Sequence, residues 1–394
     1  MKKRKISKCI MTFITLFSAS LISVYSLKNL QFPKSQRGIY SDTVYVSAAS
    51  GDSYAEKADV SVYPVFTDEP LPYEALPVQP DFDGNNVTLC GTESDSAVSD
   101  YSEASLRDYS YINVYNHKTG SVLSLPLEEY VACVVAAEMP ANSPAEALKA
   151  QAVAVRTLAV NYMSDSKKNG HGGADICTDS GHCQSFVTKD ELTAKYGDAG
   201  ENVFLNATNA AFATKGLLLL YREQPIVAVF HASSGNSTAS GKEVWGGDLA
   251  YLTAVETHEM SDVTLRDKVI GSITFTRDEF IRKLSNADIP ELSKYKESPF
   301  HLWIGGKELS ESGRVSALTI AGKRFSGAEV RKMLGLKSTD FEISFADDSI
   351  TFTTRGYGHG VGMSQLGAVA MANKGESFYS ILSTYYPGTV IGFV

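Results

Sequence analysis

The body of this 394-residue chain lacks any cluster of lysine and arginine, and its formal net charge is −9. Nucleic-acid affinity depends on clustered cations that neutralise phosphates, so that class of partner is excluded. Internal repeats are absent. Strands and helices also fail to alternate in βαβ order, which excludes a doubly wound parallel sheet and leaves an α+β fold. Gly356, Gly358, Gly360 and Gly362 alternate, but no set of them has Gly-x-Gly-x-x-Gly spacing, so there is no dinucleotide loop. What is present, 43% hydrophobic and 21% charged residues, is ordinary globular composition.

The one basic cluster is at the front. Lys2, Lys3, Arg4, Lys5 and Lys8 precede an uncharged apolar stretch from Cys9 to Leu27. That length is near the roughly 20 residues of a spanning helix, and the basic flank directs the remainder of the chain across the membrane. The alternative is a cleaved secretory signal, but no clean Ala-x-Ala-like site comes after Leu27. Residues 1–30 are therefore expected to be a single-pass anchor, with the working part outside the cytoplasm. Residues 31–110 are rich in Ser, Asp, Glu, Pro and Tyr and poor in apolar periodicity, as expected of an extended tether. Some of its short segments are alternatively strands docked on the domain.

Residues 111–394 read as one large mixed domain of helices and antiparallel hairpins. YINVYNHKTGSVLSLP alternates on either side of Lys118-Thr119-Gly120, a hairpin signal. A helix should start at Pro126, with Glu128 and Glu129 complementing its dipole, and stop by Pro140. A second should open with a Ser143–Glu146 capping box and run on through alanines. Further on, GLLLLYREQPIVAVFHAS predicts two strands, ITFTRDEFIRKL a strand and then a helix, and FEISFADDSITFTTRGYG a hairpin. A last helix is expected between Ser364 and Gly375.

Glu138 ends the apolar run VVAAEMP. A carboxyl at a helix carboxyl end, beside apolar residues, is disfavoured in its ionised form and suited to general-acid work. The plain alternative is an exposed helix-end glutamate without chemistry. Trp245 and Tyr251 could carry a sugar ring or belong to the core. His231, Ser233 and Ser234, in the loop HASSGNSTAS, offer polar groups for sugar recognition. The glycine loop is expected to approach substrate closely, presenting His359, Ser364 and Gln365, or else to be a tight structural turn. His171, Cys177, His182 and Cys183 could close a tetrahedral structural zinc site, or Cys177 and Cys183 a disulfide. The residues alone leave the two open. Cys133 reads as a buried small hydrophobe.

Three separated segments, LPLEEYVACVVAAEMPANSPAEALKAQAVAVRT, FHASSGNSTASGKEVWGGDLAYL and GYGHGVGMSQLGAVAMANKGESFYSILSTYYPGT, resemble the stage II sporulation protein D family of peptidoglycan lytic transglycosylases. The resemblance implies that Glu138 is the catalytic acid/base and that Arg156 lies near the active centre. It also implies that the His/Cys cluster holds zinc. The implied substrate is the glycan strand with stem peptides removed, and the implied partners are a cell-wall amidase and a membrane component of the engulfment machinery. Relatives often have Lys where this chain has Thr253, which cannot supply its charge. An ordinary glycosidase needs a second carboxylate opposite the first, and nothing in the sequence places Glu146 or Asp248 there. Because related domains enhance amidases without being enzymes, a non-enzymatic peptidoglycan-binding module is the alternative.

Overall fold

The alternation around Lys118 forms a hairpin of β1 (Tyr111–Tyr115) and β2 (Val122–Pro126), antiparallel with Tyr115 opposite Val122. Ile112 and Val114 point into the core and are fully buried. This hairpin is at the start of the computed structural model, which describes residues 109–164, 171–290 and 292–393. The expected anchor and nearly all of the expected tether lie outside the described residues. No helix among the described residues is long and apolar enough to cross a membrane.

Helix α1 (Leu127–Glu138) comes next, with Pro126 at its N-cap. It is buried on nearly every face and stops at Met139, which turns extended (φ −94°, ψ 145°). The reason is local: the ring of Pro140 disfavours helical geometry in the residue before it. Helix α2 (Ala145–Ser164) is a core helix whose Ala147, Ala150, Ala152 and Ala154 are fully buried, small enough for neighbouring helices to approach closely. The capping box expected at its start is absent. Ser143 donates to the Pro140 carbonyl (2.7 Å), and Glu146 accepts from Lys149 Nζ and from the Phe378 amide (2.8 Å).

A two-residue strand β3 (Ile176–Cys177) pairs in parallel with β1, Tyr115 opposite Cys177. Helices α3 (Lys189–Tyr196) and α4 (Asp198–Ala213) come after it, α3 opened by a Thr188–Glu191 capping box. Strand β4 (Leu217–Tyr221) turns back through Arg222 and Glu223, both at positive φ, into β5 (Gln224–Pro225). The second strand expected here is thus split, its remainder being β6 (Phe230–His231).

A second hydrophobic core occupies the next segment. It joins β7 (Ile270–Thr276), α5 (Arg277–Leu284), β8 (Ile304–Leu309), β9 (Val315–Ile320), β10 (Lys323–Ser326), α6 (Gly327–Leu334), β11 (Phe341–Phe345) and β12 (Ser349–Arg355). Two three-stranded sheets, ordered β10-β9-β8 and β11-β12-β7, enclose Phe275, Phe280, Phe300, Trp303, Phe341 and Phe352. The chain then returns to the first core. Strand β13 (Met363–Ser364) pairs in parallel with β6, α7 (Gln365–Asn373) and α8 (Phe378–Tyr385) pack on α2, and β14 (Val390–Phe393) pairs antiparallel with β4. The described part is α+β, with mixed helices and mostly antiparallel strands.

Candidate functional site

Glu138 is 2% exposed at the end of α1. Each carboxylate oxygen has a donor: the Ser185 amide reaches Oε1 at 2.8 Å and Gln365 Nε2 reaches Oε2 at 3.4 Å. Behind the carboxylate, Tyr130 of the same helix donates to Gln184 Oε1 (2.8 Å), and burial pushes its hydroxyl well above the usual phenol range. Close by is a cleft of about 640 Å³ whose lining includes Ala137, Met139, Ser185, Phe186, Tyr196 and Leu366. Glu138 is therefore flanked by cleft residues: its own sequence neighbours, its donor Ser185, and the residue after its donor Gln365. Glu138 and Gln365 themselves are not among the residues lining that cleft, and neither are Glu146 and Asp248. The acids that do are engaged locally, Asp179 by the Gly181 amide and Glu191 by its helix cap.

The loop that supplies Ser185 also carries the His/Cys cluster. The ligand atoms of His171, Cys177, His182 and Cys183 lie within 4.8 Å of one another, all but His182 buried. His171 Nε2 is 2.9 Å from His182 Nδ1 and 3.2 Å from Cys183 Sγ, while His182 Nδ1 is 3.6 Å from Cys177 Sγ. A tetrahedron with zinc–nitrogen bonds near 2.0 Å and zinc–sulfur bonds near 2.3 Å has edges of about 3.3–3.8 Å, so the donor set fits such an ion. Both cysteines are free thiols. The hydrogen bond between them draws the Cys177 thiol down and pushes Cys183 up, and burial lowers the His171 imidazole, which keeps it neutral.

Several residues expected to touch substrate sit elsewhere. Arg156 is fully buried and serves Glu128, bonding it through Nε and Nη2, with further bonds to the Ala211 and Leu217 carbonyls and the Thr214 hydroxyl. It thus ties α1, α2 and α4 together, and has no surface to offer a sugar. Glu128, read as a dipole partner, is this buried counter-ion. Tyr251 is 6% exposed, and its oxygen accepts from the Val227 amide, which makes it core. His231, Ser233 and Ser234 are all buried. His231 Nδ1 donates to the Val361 carbonyl (3.1 Å), and its Nε2 accepts from the Ser234 hydroxyl.

The glycine loop faces protein. Gly356, Gly358, Gly360 and Gly362 are all at positive φ, and a Cβ on Gly356 or Gly358 would come within 2.9 Å of the Ser234 backbone or the His231 side chain. Their freedom lets this loop lie against the serine loop, with Ser233 and Tyr357 exchanging backbone bonds. His359 is buried there, its Nδ1 accepting from the Val361 amide, and burial lowers it to about 3. Trp245 is only partly buried, its ring 5.2 Å from His359. Gln365 meets Glu138, and Ser364 caps α7. Sequence reasoning missed Ser185, whose contribution is a backbone amide and leaves no side-chain signal, and Glu259, a lone acid in a polar loop.

Residues 115–221, which contain Glu138 and all four cluster residues, match the family described as SpoIID, stage II sporulation protein. Stage II sporulation protein D of Bacillus subtilis (strain 168) is 36% identical over 285 residues, covering 71% of this chain and 78% of that protein. The Bacillus amyloliquefaciens protein of the same name is 34% identical over the same shares. An amidase enhancer of Bacillus subtilis (strain 168) is 28% identical over 307 residues, 66% of this chain and 39% of that protein. On the identity and coverage of the first of these, the chain belongs to the stage II sporulation protein D family.

Proposed function

We propose that the chain is a lytic transglycosylase that cleaves the bond between N-acetylmuramic acid and N-acetylglucosamine in peptidoglycan strands, leaving 1,6-anhydro ends. One observation carries the reading: Glu138 is a buried carboxyl held on both oxygens, and its neighbours Ala137 and Met139 and its donor Ser185 line a cleft. Protonated Glu138 donates to the bridging oxygen. As the muramyl C6 oxygen closes on the anomeric carbon, Glu138 takes back the proton of that hydroxyl, so no water is consumed and no second carboxylate is needed. The cleft draws its lining from the segment around Met139 to Ser143 and from Leu366, Val369 and Asn373 of α7, and its volume of about 640 Å³ has room for a glycan segment.

The reading extends to zinc at His171, Cys177, His182 and Cys183, where the ion would act as a cross-link with no open position. It extends also to a role in engulfment during sporulation, a single-pass anchor in residues 1–30, and glycan stripped of stem peptides by a partner amidase. The likeness to an amidase enhancer supports a second reading, a non-enzymatic module that stimulates an amidase. Peptide-free glycan treated with wild type and Glu138→Gln separates them. The first reading expects anhydromuramyl products by mass spectrometry and a rate loss of about 10²–10⁴-fold in the variant, with its melting temperature retained. Hydrated reducing ends alone exclude it. No cleavage by wild type, together with amidase stimulation that Glu138→Gln leaves unchanged, favours the second.

A further inference from the structure

The loop before the second core buries a carboxylate that the proposed reaction does not use. Glu259 is 0% exposed. Its Oε1 accepts three bonds, from the Ser234 amide (2.8 Å), the Gly235 amide (3.2 Å) and the Ser364 hydroxyl (2.9 Å). Its Oε2 has no partner, and the buried Tyr385 hydroxyl nearby has none either. Among the described residues no lysine or arginine forms an ion pair with Glu259; Arg314 is the cation whose guanidinium feels it, together with Asp340 and Glu243. Taking a carboxylate out of water is costly, so one retained without a direct counter-ion calls for a reason beyond packing.

The reason is visible at the start of α7. The Ser364 hydroxyl has a single hydrogen and uses it on Glu259, which turns its lone pairs to the Gly367 amide (3.1 Å) and caps the helix. Gly367 lets the helix sit down on the carboxylate, since a Cβ there would overlap the Tyr385 hydroxyl and come within 2.9 Å of Glu259 Oε2. A negative charge at this end of α7 also complements the helix dipole. The residue directly after the cap is Gln365, the donor to Glu138 Oε2.

We propose that Glu259 is a positioning residue for Glu138: through Ser364 it fixes the first turn of α7, and so the amide of Gln365 that holds the second oxygen of the acid. This rests on the role given to Glu138 above, and the test separates the two. The full chain, labelled with 15N at its seven glutamine side chains, is compared as wild type, Gln365→Ala, Glu259→Gln, Ser364→Ala and the Glu259→Gln/Gln365→Ala double variant. Gln365→Ala identifies the Gln365 amide signal. Glu259→Gln and Ser364→Ala should both move that signal toward the position of a free glutamine while far-UV circular dichroism and cooperative melting persist. On peptide-free glycan, Glu259→Gln should lower kcat roughly tenfold to a hundredfold with KM within about twofold, as loss of positioning does. The double variant should be no slower than Gln365→Ala, because the two act in series.

A Gln365 signal that stays in place in folded Glu259→Gln overturns the proposal, as do rate losses that multiply in the double variant. Should Glu259→Gln fail to fold, Ser364→Ala, which removes the link and keeps the carboxylate, decides on the same readouts. If wild type cleaves no glycan, the enzymatic reading falls while the Gln365 signal still decides this one.

Discussion

A polar side chain buried without a partner is costly, and among the charged residues that this protein buries, Glu138, Arg156 and Glu259 each have a different arrangement. Arg156 has a full set of acceptors and an ion pair with Glu128. Replacing it by methionine keeps most of the volume but strands Glu128 in the core, so a loss of about 3–5 kcal/mol in urea unfolding is expected. Glycan cleavage by whatever remains folded should stay within about threefold, because Arg156 does not face the cleft; a rate collapse at full stability would restore it to the active centre. The sequence could not separate these roles. An arginine on a helix looks the same whether it serves a sugar or a glutamate 28 positions earlier, and the deciding partners, Thr214 and Leu217, come from a segment that carries no motif.

Local elements were more legible. The hairpin at Lys118 and the stop before Pro140 follow from alternation and from proline sterics, which act within a few residues, and so did the opening of α7 at Ser364. The failures are where tertiary partners displace local ones: Ser143 and Glu146 have the spacing of a capping box, yet Glu146 bonds the Phe378 amide, 232 residues away. The segment from His171 to Val187 has little regular structure of its own. It has one two-residue strand, and Ser185, two residues past Cys183, delivers the amide to Glu138. With the proposed metal bound, metal analysis should return about one zinc per chain, and dialysis against a strong chelator should lower the melting temperature by at least about 5 °C while opening both thiols to alkylation. An intact mass lacking both sulfur hydrogens would instead establish a disulfide.

At the scale of the whole molecule, stability is tied to pH through two histidines at the meeting of the serine and glycine loops. Burial lowers both, His231 well below its ordinary value, with His359 and Arg314 adding to the effect, and His359 to about 3, with Arg331 and Arg314 adding. A base whose folded value is depressed contributes stability that is complete above its unfolded value, about 6.5, and is lost as the unfolded chain gains protons below it. For His359 the window runs from about 6.5 down to about 3. Between pH 7 and pH 5 a loss of roughly 2 kcal/mol per histidine is expected in urea unfolding, and His359→Gln should remove its share. Equal midpoints at the two pH values would show that the pair does not remain neutral. The pairing of these loops, like the second core, was beyond sequence reasoning because it joins segments more than a hundred residues apart.

The bond between Glu138 and Gln365 spans 227 positions. Ribosomes deliver a chain from its amino end, so the acid and the four cluster residues emerge long before the amide that holds the acid's second oxygen. A nascent molecule with two thirds of its length made holds the acid and the cluster residues but not α7. On the proposed function, a chain that stops between residues 221 and 365 should carry the whole family-matched segment and yet leave glycan uncut, for want of that amide.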